Sequence, residues 1–128
     1  MRIQTTSSEA GILVSVSGDL DALSVPEFRA RLRLTLETHR PGRVEVDLAG
    51  VGFLDCAGAR SLLWADACVR EWGGGVVFVR PAPLVLRLLR LLGFDAVLSV
   101  RVASPVVPPV VPPVPRPQPT AEAGPRPG

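Results

Sequence analysis

Val46-Asp47-Leu48-Ala49-Gly50-Val51-Gly52-Phe53-Leu54-Asp55-Cys56-Ala57-Gly58-Ala59 is the stretch on which the reading of this chain turns. It continues an alternation that begins at Arg43: Arg43–Leu48 (RVEVDL) places apolar and charged side chains in turn. A period of two is the signature of a strand with two unlike faces. Gly50–Phe53 reads as a connection, and Asp55 stands where a carboxylate can accept from the free N–H groups of a helix start. That helix is expected to run to about Trp72, with Gly73-Gly74-Gly75 ending it.

Upstream, Ile12–Ser17 (ILVSVS) alternates apolar and small polar residues and predicts a strand, ended by Gly18 and the Asp19–Asp21 pair. Arg2–Thr6 is a candidate short strand before it, with Ser7–Gly11 as the turn. Ser24-Val25-Pro26-Glu27 has the Ser-x-x-Glu form of a capping box. Phe28, Leu32, Leu36 and His39 then recur at helical spacing, which predicts an amphipathic helix over Val25–His39, stopped by Pro41-Gly42. Downstream, Val76–Val79 predicts a short buried strand. Pro83 opens a Leu-rich helix, Leu84–Leu92, with Gly93 just past its end. Ala96–Val102 predicts a last strand. The order β-(β)-α-β-α-β-α-β implies a mostly parallel sheet covered by helices, with right-handed crossovers.

Composition narrows the function. The 128 residues carry a net charge of +2, and all fourteen basic residues are Arg. These are interspersed with acids rather than gathered on one segment, and aromatics are few, so a nucleic-acid surface is not expected. Cys56 and Cys68 fall on one expected helix, about 18 Å apart along its axis. A disulfide between them is therefore excluded. With one His and no Cys-x-x-Cys pair, neither a metal nor another cofactor is expected. Met1–Ala10 is polar with no apolar stretch after it, and no run is long enough to span a bilayer. No membrane association is expected, and a cytoplasmic location is. From Pro105 to Gly128 there are ten prolines. The chain thus divides into a folding domain, 1–104, and a Pro-rich tail, 105–128, expected to be disordered with a polyproline II bias.

Three segments, in order, resemble the STAS family, and in particular the bacterial anti-sigma-factor antagonists. Gly18-Asp19-Leu20-Asp21 followed by Pro26-Glu27-Phe28-Arg29 is similar to the family's turn into its first long helix. Val46–Ala59 is similar to its signature, a Val-Asp-Leu strand followed by Phe-hydrophobic-Asp, two small residues and Gly. Leu88–Phe94 (LLRLLGF) resembles the end of its next helix. The resemblance implies an α/β fold: a mixed four- to five-stranded sheet with helices packed mainly on one side. It implies a partner that is an anti-sigma factor and serine kinase, whose capture frees a sigma factor, with no catalysis by the antagonist, which is a monomer or weak homodimer. It places the partner-binding residues at Asp21, Asp55, Cys56, Ala57, Gly58, Ala59 and Arg60. Phosphoregulated members carry a Ser where this chain has Ala57, and a methyl accepts no phosphate. Cys56 is not a normal substrate for a Ser kinase, and Ser61 is one turn further into the helix. The expectation is a retained binding surface without the usual off-switch.

Each of these residues also has a plainer reading. Asp55 can be a helix cap and Asp21 turn chemistry. Cys56 can be a small packing residue or a redox-sensitive thiol. Arg60 can be a solvated helix position. Trp64 and Trp72 can be core or an interface anchor. Leu84–Leu92 has more leucines than one buried stripe needs, so part of it is deeply covered or free for an interface. Two further functional readings remain beside the antagonist. One is a non-switching scaffold or subunit of a larger signalling assembly. The other is a small-ligand or nucleotide sensor, against which stand the lack of any Lys and of a phosphate-cradling Gly-rich loop.

Overall fold

A computed structural model describes residues 1–8, 11–39 and 42–102. The expected tail, 105–128, lies outside the described residues. The elements are β1 (Arg2–Ser8), β2 (Gly11–Leu20), α1 (Val25–His39), β3 (Arg43–Leu54), α2 (Cys56–Arg70), β4 (Gly75–Val79), α3 (Pro83–Leu91), a 3₁₀ turn (Phe94–Ala96) and β5 (Ser99–Arg101). They form one five-stranded sheet in the order β1-β2-β3-β4-β5. β1 pairs antiparallel with β2, and all other pairs are parallel. Each crossover steps the same way along the sheet, so the ordinary right-handed connection places the helices over one face.

That face holds the core. Ile12, Val14 and Val16 of β2, Val44, Val46 and Leu48 of β3, and Val76 and Phe78 of β4 point toward the helices. Phe28, Leu32 and Leu36 of α1, Leu62 and Val69 of α2, and Val85 and Leu89 of α3 complete the cluster. The spacing in α1 is the three-to-four repeat that puts one stripe inward and leaves Arg29, Arg31 and Arg33 in solvent.

Three expectations are corrected. First, β2 and β3 do not end at Ser17 and Leu48. They continue together through Ser17↔Gly50, Gly18↔Val51, Asp19↔Phe53 and Leu20↔Leu54, with shifts of register on the way. Gly50 allows the strands to close up there, since a Cβ on it would lie 2.6 Å from the Ser17 Cβ. Second, the last strand is only Ser99–Arg101. Gly93, at φ 76°, reverses the chain after α3, and Leu98 N–H bonds back to Phe94 O, so Ala96 and Val97 belong to a turn. Third, the capping box does not form. Ser24 Oγ accepts from Asp21 N–H at 2.9 Å and donates to Asp19 O at 2.8 Å, while Glu27 pairs with Arg31 one turn on.

The other face of β3 carries Glu45 and Asp47, both buried. Glu45 Oε2 sits between Arg43 Nη2 at 3.0 Å and Arg101 Nη2 at 3.2 Å. Asp47 is paired with Arg80, whose N–H also bonds Arg101 O at 2.9 Å. Arg80 adopts φ 54°, a left-handed conformation that costs a residue with a Cβ on the order of 1–3 kcal/mol. Its two anchored ends, guanidinium and N–H, offset that cost and lock the end of β4 to β3 and β5.

Packing on the helical face therefore carries the stability. Phe78→Ala, which empties a fully buried site on β4, is expected to lower unfolding free energy in urea titration by about 3–5 kcal/mol. Leu23→Ala, at a position 91% exposed, is expected to stay within about 0.5 kcal/mol of the parent.

Candidate functional site at the mouth of the second helix

α2 begins at Cys56, and its first turn leaves backbone N–H groups without helical acceptors. Asp55 answers that need, as the sequence suggested, and does more. Its Oδ1 accepts from Gly58 N–H at 2.7 Å, capping the helix. Its Oδ2 accepts from Ala22 N–H at 3.0 Å, tying the helix start to the β2–α1 turn 33 residues earlier. Asp55 N–H also approaches Leu20 O at 3.4 Å. The Gly58 N–H bond is the main reason the Asp55 carboxyl titrates below the usual carboxylate range. Burial opposes that effect, and the N–H groups of Ala22, Ala57 and Asp55 itself reinforce it.

Gly58 is required by close approach. A Cβ there would lie 2.0 Å from Leu20 O and 2.8 Å from Leu54 Cδ1. A side chain would push α2 off the strand ends and break the contact between its first turn and the β2–α1 turn.

The turn itself is built by Asp21, whose Oδ1 accepts from Leu23 N–H at 3.1 Å and Ser24 N–H at 3.0 Å. Its carboxylate is thus spent on turn chemistry. Cys56 is exposed, not packed inside, Ala57 is half-buried, and Arg60 is exposed. Gly58 and Ala59, expected among the contacts, are buried: Ala59 is 0% exposed within the core. They support the mouth from beneath, and a visitor cannot touch Ala59 without unpacking the helix. Ser61 is buried as well, its Oγ donating to Gly58 O at 2.6 Å.

Two exposed apolar residues flank the mouth that sequence reasoning passed over. Leu23 lies on the turn that Asp55 holds, and Phe53, 52% exposed, stands two residues before the Asp55 cap. Their signal was present: large apolar residues in segments read as loops. Farther along α2, Trp64 is half-buried under the guanidinium groups of Arg29 and Arg33 of α1, each 5.4 Å from the ring centroid. These contacts make Trp64 part of the α1–α2 seam. Trp72 also packs against the core. Leu84 and Leu91 of α3 are 71% and 75% exposed, while Val85 and Leu89 are buried, so the Leu-rich helix is covered on one side only.

Two surface depressions among the described residues lie elsewhere. One of about 240 Å³ is lined by Arg33, Leu36, Glu37, Cys68, Glu71 and Trp72 between α1 and α2. Burial pushes the Cys68 thiol up there, with Arg33 partly opposing it. Another of about 420 Å³ lies against α3 at Pro83, Leu86, Arg87, Arg90 and Leu91. Among the described residues no helix is long and apolar enough to cross a membrane.

Asp55→Ala removes both ties and is expected to cost about 1 kcal/mol of stability at pH 7, within the 0.5–2 kcal/mol range of lost caps. Because folding lowers the Asp55 pKa, its contribution is complete above the unfolded value of roughly 3.9 and fades as pH falls through the lower folded value. Thermal melts of parent and variant should therefore converge below about pH 4. A gap that stays constant down to pH 2 would show that the charge on Asp55 contributes nothing.

Residues 3–102 match the family model described as Mlab, STAS domain. Solved structures share the fold. An anti-sigma factor antagonist from Mycobacterium paratuberculosis superposes with TM-score 0.67 at 23% identity, over 80% of this chain and 86% of that one. A Thermotoga maritima protein gives TM-score 0.69 at 15% identity, over 79% and 86%. The phosphorylated form of the Bacillus cell fate determinant SpoIIAA gives 0.60 at 15% identity, over 80% and 92%. With the family model covering most of its length, and the sheet order and capped second helix in place, this chain belongs to the STAS family.

Proposed function

We propose that this protein is a cytoplasmic, non-enzymatic binding regulator that captures an anti-sigma factor of the serine-kinase type through the mouth of α2. In this reading it does so without a phosphorylation switch at that mouth. The observation that carries the proposal is the Ala57 methyl in the first turn of α2, with exposed Leu23, Phe53, Cys56 and Arg60 on the segments that Asp55 joins. Apolar anchors beside an arginine are the composition of an interface centre. The positive end of the helix adds a field that favours a partner's carboxylates.

The nearby hydroxyls give no substitute acceptor. Ser61 is buried and bonded to Gly58 O, and Ser24 Oγ is held between Asp21 N–H and Asp19 O. A kinase needs a hydroxyl presented on the surface, and position 57 lacks one. A phosphate at this place would bring a charge of about −1.5 to −2 into the docking face. Ala57 makes the surface permanently competent to bind. Asp21, Gly58 and Ala59 act from beneath, fixing the turn and the helix rather than touching the partner.

A second reading has one observation in its favour. Leu84, Leu91 and Val97 expose a separate apolar surface around α3. A second surface suits a subunit that joins two neighbours in an assembly. The nucleotide-sensing reading has less: both depressions are lined by exposed arginines and lack convergent buried polar groups.

Size-exclusion and calorimetric titration with a purified anti-sigma kinase encoded in the same genome test the proposal. The parent is expected to form a discrete complex, and Ala57→Asp to weaken it about a hundredfold or more, as a desolvated unpaired charge would. Ala57→Ser is expected to take up phosphate from the kinase at position 57 where the parent takes none. Undiminished binding by Ala57→Asp, or phosphate on the parent chain, would overturn the reading. Recovery in a multi-copy particle would favour the subunit reading instead.

A further inference from the structure

α3 turns only one side to the core. Val85 and Leu89, one turn apart, are buried, and Leu88 and Leu92 pack partly against the same cluster. The opposite flank is apolar too. Leu84 and Leu91 are largely exposed and two turns apart, so they stand on one side of the helix, about 10.5 Å from one another along its axis. Arg87 falls between them on that side. Pro83, Leu86 and Arg90 continue the flank, and with Arg87 and Leu91 they line the depression of about 420 Å³. Most other described arginines have a partner: Arg31 with Glu27, Arg70 with Asp66, Arg80 with Asp47, Arg43 and Arg101 with Glu45, and Arg29 and Arg33 over Trp64. Among the described residues, Arg87 and Arg90 enter no ion pair and no ring contact. No acidic residue occurs from Pro83 to Phe94. Arg90, in the last turn, suits the negative end of its own helix, but Arg87, in the middle, has no such account.

We infer that this flank docks an acidic amphipathic helix of a partner protein, through residues that the mouth of α2 does not share. A helix laid along α3 sets apolar side chains, one or two turns apart, against Leu84, Leu86 and Leu91, and carboxylates between them against Arg87 and Arg90. Covering the leucines also takes water from around those arginine–carboxylate bonds and strengthens them. Charge decides among the possible occupants. A two-fold contact between α3 of two copies crowds the arginines of both together with no acid between them. An anionic membrane is a poor fit as well. Electrostatic anchoring takes a cluster of about four to eight basic residues. Here two arginines stand on a nine-residue helix, with exposed Asp95 on the turn that follows. An acidic helix meets both needs of the flank, apolar cover and negative charge, over the short length that α3 offers.

Fluorescence anisotropy with the full chain tests this, using a labelled peptide of Leu, Ala and Glu of about 18 residues, long enough to hold its own helix. Saturable binding is expected. In the NMR spectrum the signals of Leu84, Arg87 and Leu91 are expected to shift while those of Ala22 and Ala57 stay in place. Arg87→Glu with Arg90→Glu is expected to weaken binding about tenfold or more, and to take up instead the same peptide with Lys for Glu. Arg87→Gln with Arg90→Gln, which removes charge without reversing it, is expected to fall between. No anti-sigma kinase is added, so a failure here leaves the α2 reading untouched. Absence of saturable binding, equal binding of the Lys peptide by the parent, or shifts confined to the α2 mouth would overturn the inference. Co-sedimentation with phosphatidylglycerol vesicles that the acidic peptide does not compete would do the same, as would a dilution-sensitive dimer that covers α3, since lipid or a second copy would then be the occupant.

Discussion

One oxygen of Asp55 caps α2 and the other holds the turn between β2 and α1. Two chain segments 33 residues apart are fixed to one another by a single carboxylate, and the surface between them exists because of it. Gly58 makes the arrangement possible, since any side chain there would collide with Leu20 O. The parallel pairing of β2 with β3 out to Leu20 and Leu54 brings both C-terminal ends to the same end of the sheet. What a partner would meet is a rigid corner, with backbone positions set by the sheet and not by loop preference.

The sheet has two unlike faces, and the difference follows from β3. Its apolar positions Val44, Val46 and Leu48 look to the helices, and Glu45 and Asp47 look away. Burying two carboxylates costs several kcal/mol each unless they are paired. The pairing comes from Arg43 within β3 and from Arg80 and Arg101, which join β3 to the end of β4 and to β5. Replacing Arg80 would leave the buried Asp47 charge without its arginine, so this network acts as a constraint on register as well as a contact.

Much of the architecture was legible in the residues. The helix over Val25–His39 followed from its apolar spacing, and the Asp55 cap from its place before a helical run. Glycine-rich segments were harder. Gly18-Asp19 and Gly50–Phe53 look like loops, yet they pair as strands because the neighbouring strand, not local propensity, decides them. The capping box failed for a related reason: Asp21 and Asp19 bid for the Ser24 hydroxyl more closely than the helix did. Burial of Glu45 depends on Arg101, 56 residues away, and no local pattern announces that. At the site, the residue types were readable, but which of them face outward was not. Ala59 and Cys56 are three apart on one helix, with one inside and one outside.

The mouth of α2 is the proposed docking face. Backbone NMR of the labelled chain, recorded while an unlabelled anti-sigma kinase is added, tests it most directly. The signals of Ala22, Leu23, Phe53, Cys56, Ala57 and Arg60 are expected to shift or broaden first, while those of Leu84, Arg87 and Leu91 stay in place. Perturbation confined to α3, with the α2 mouth unmoved, would contradict it.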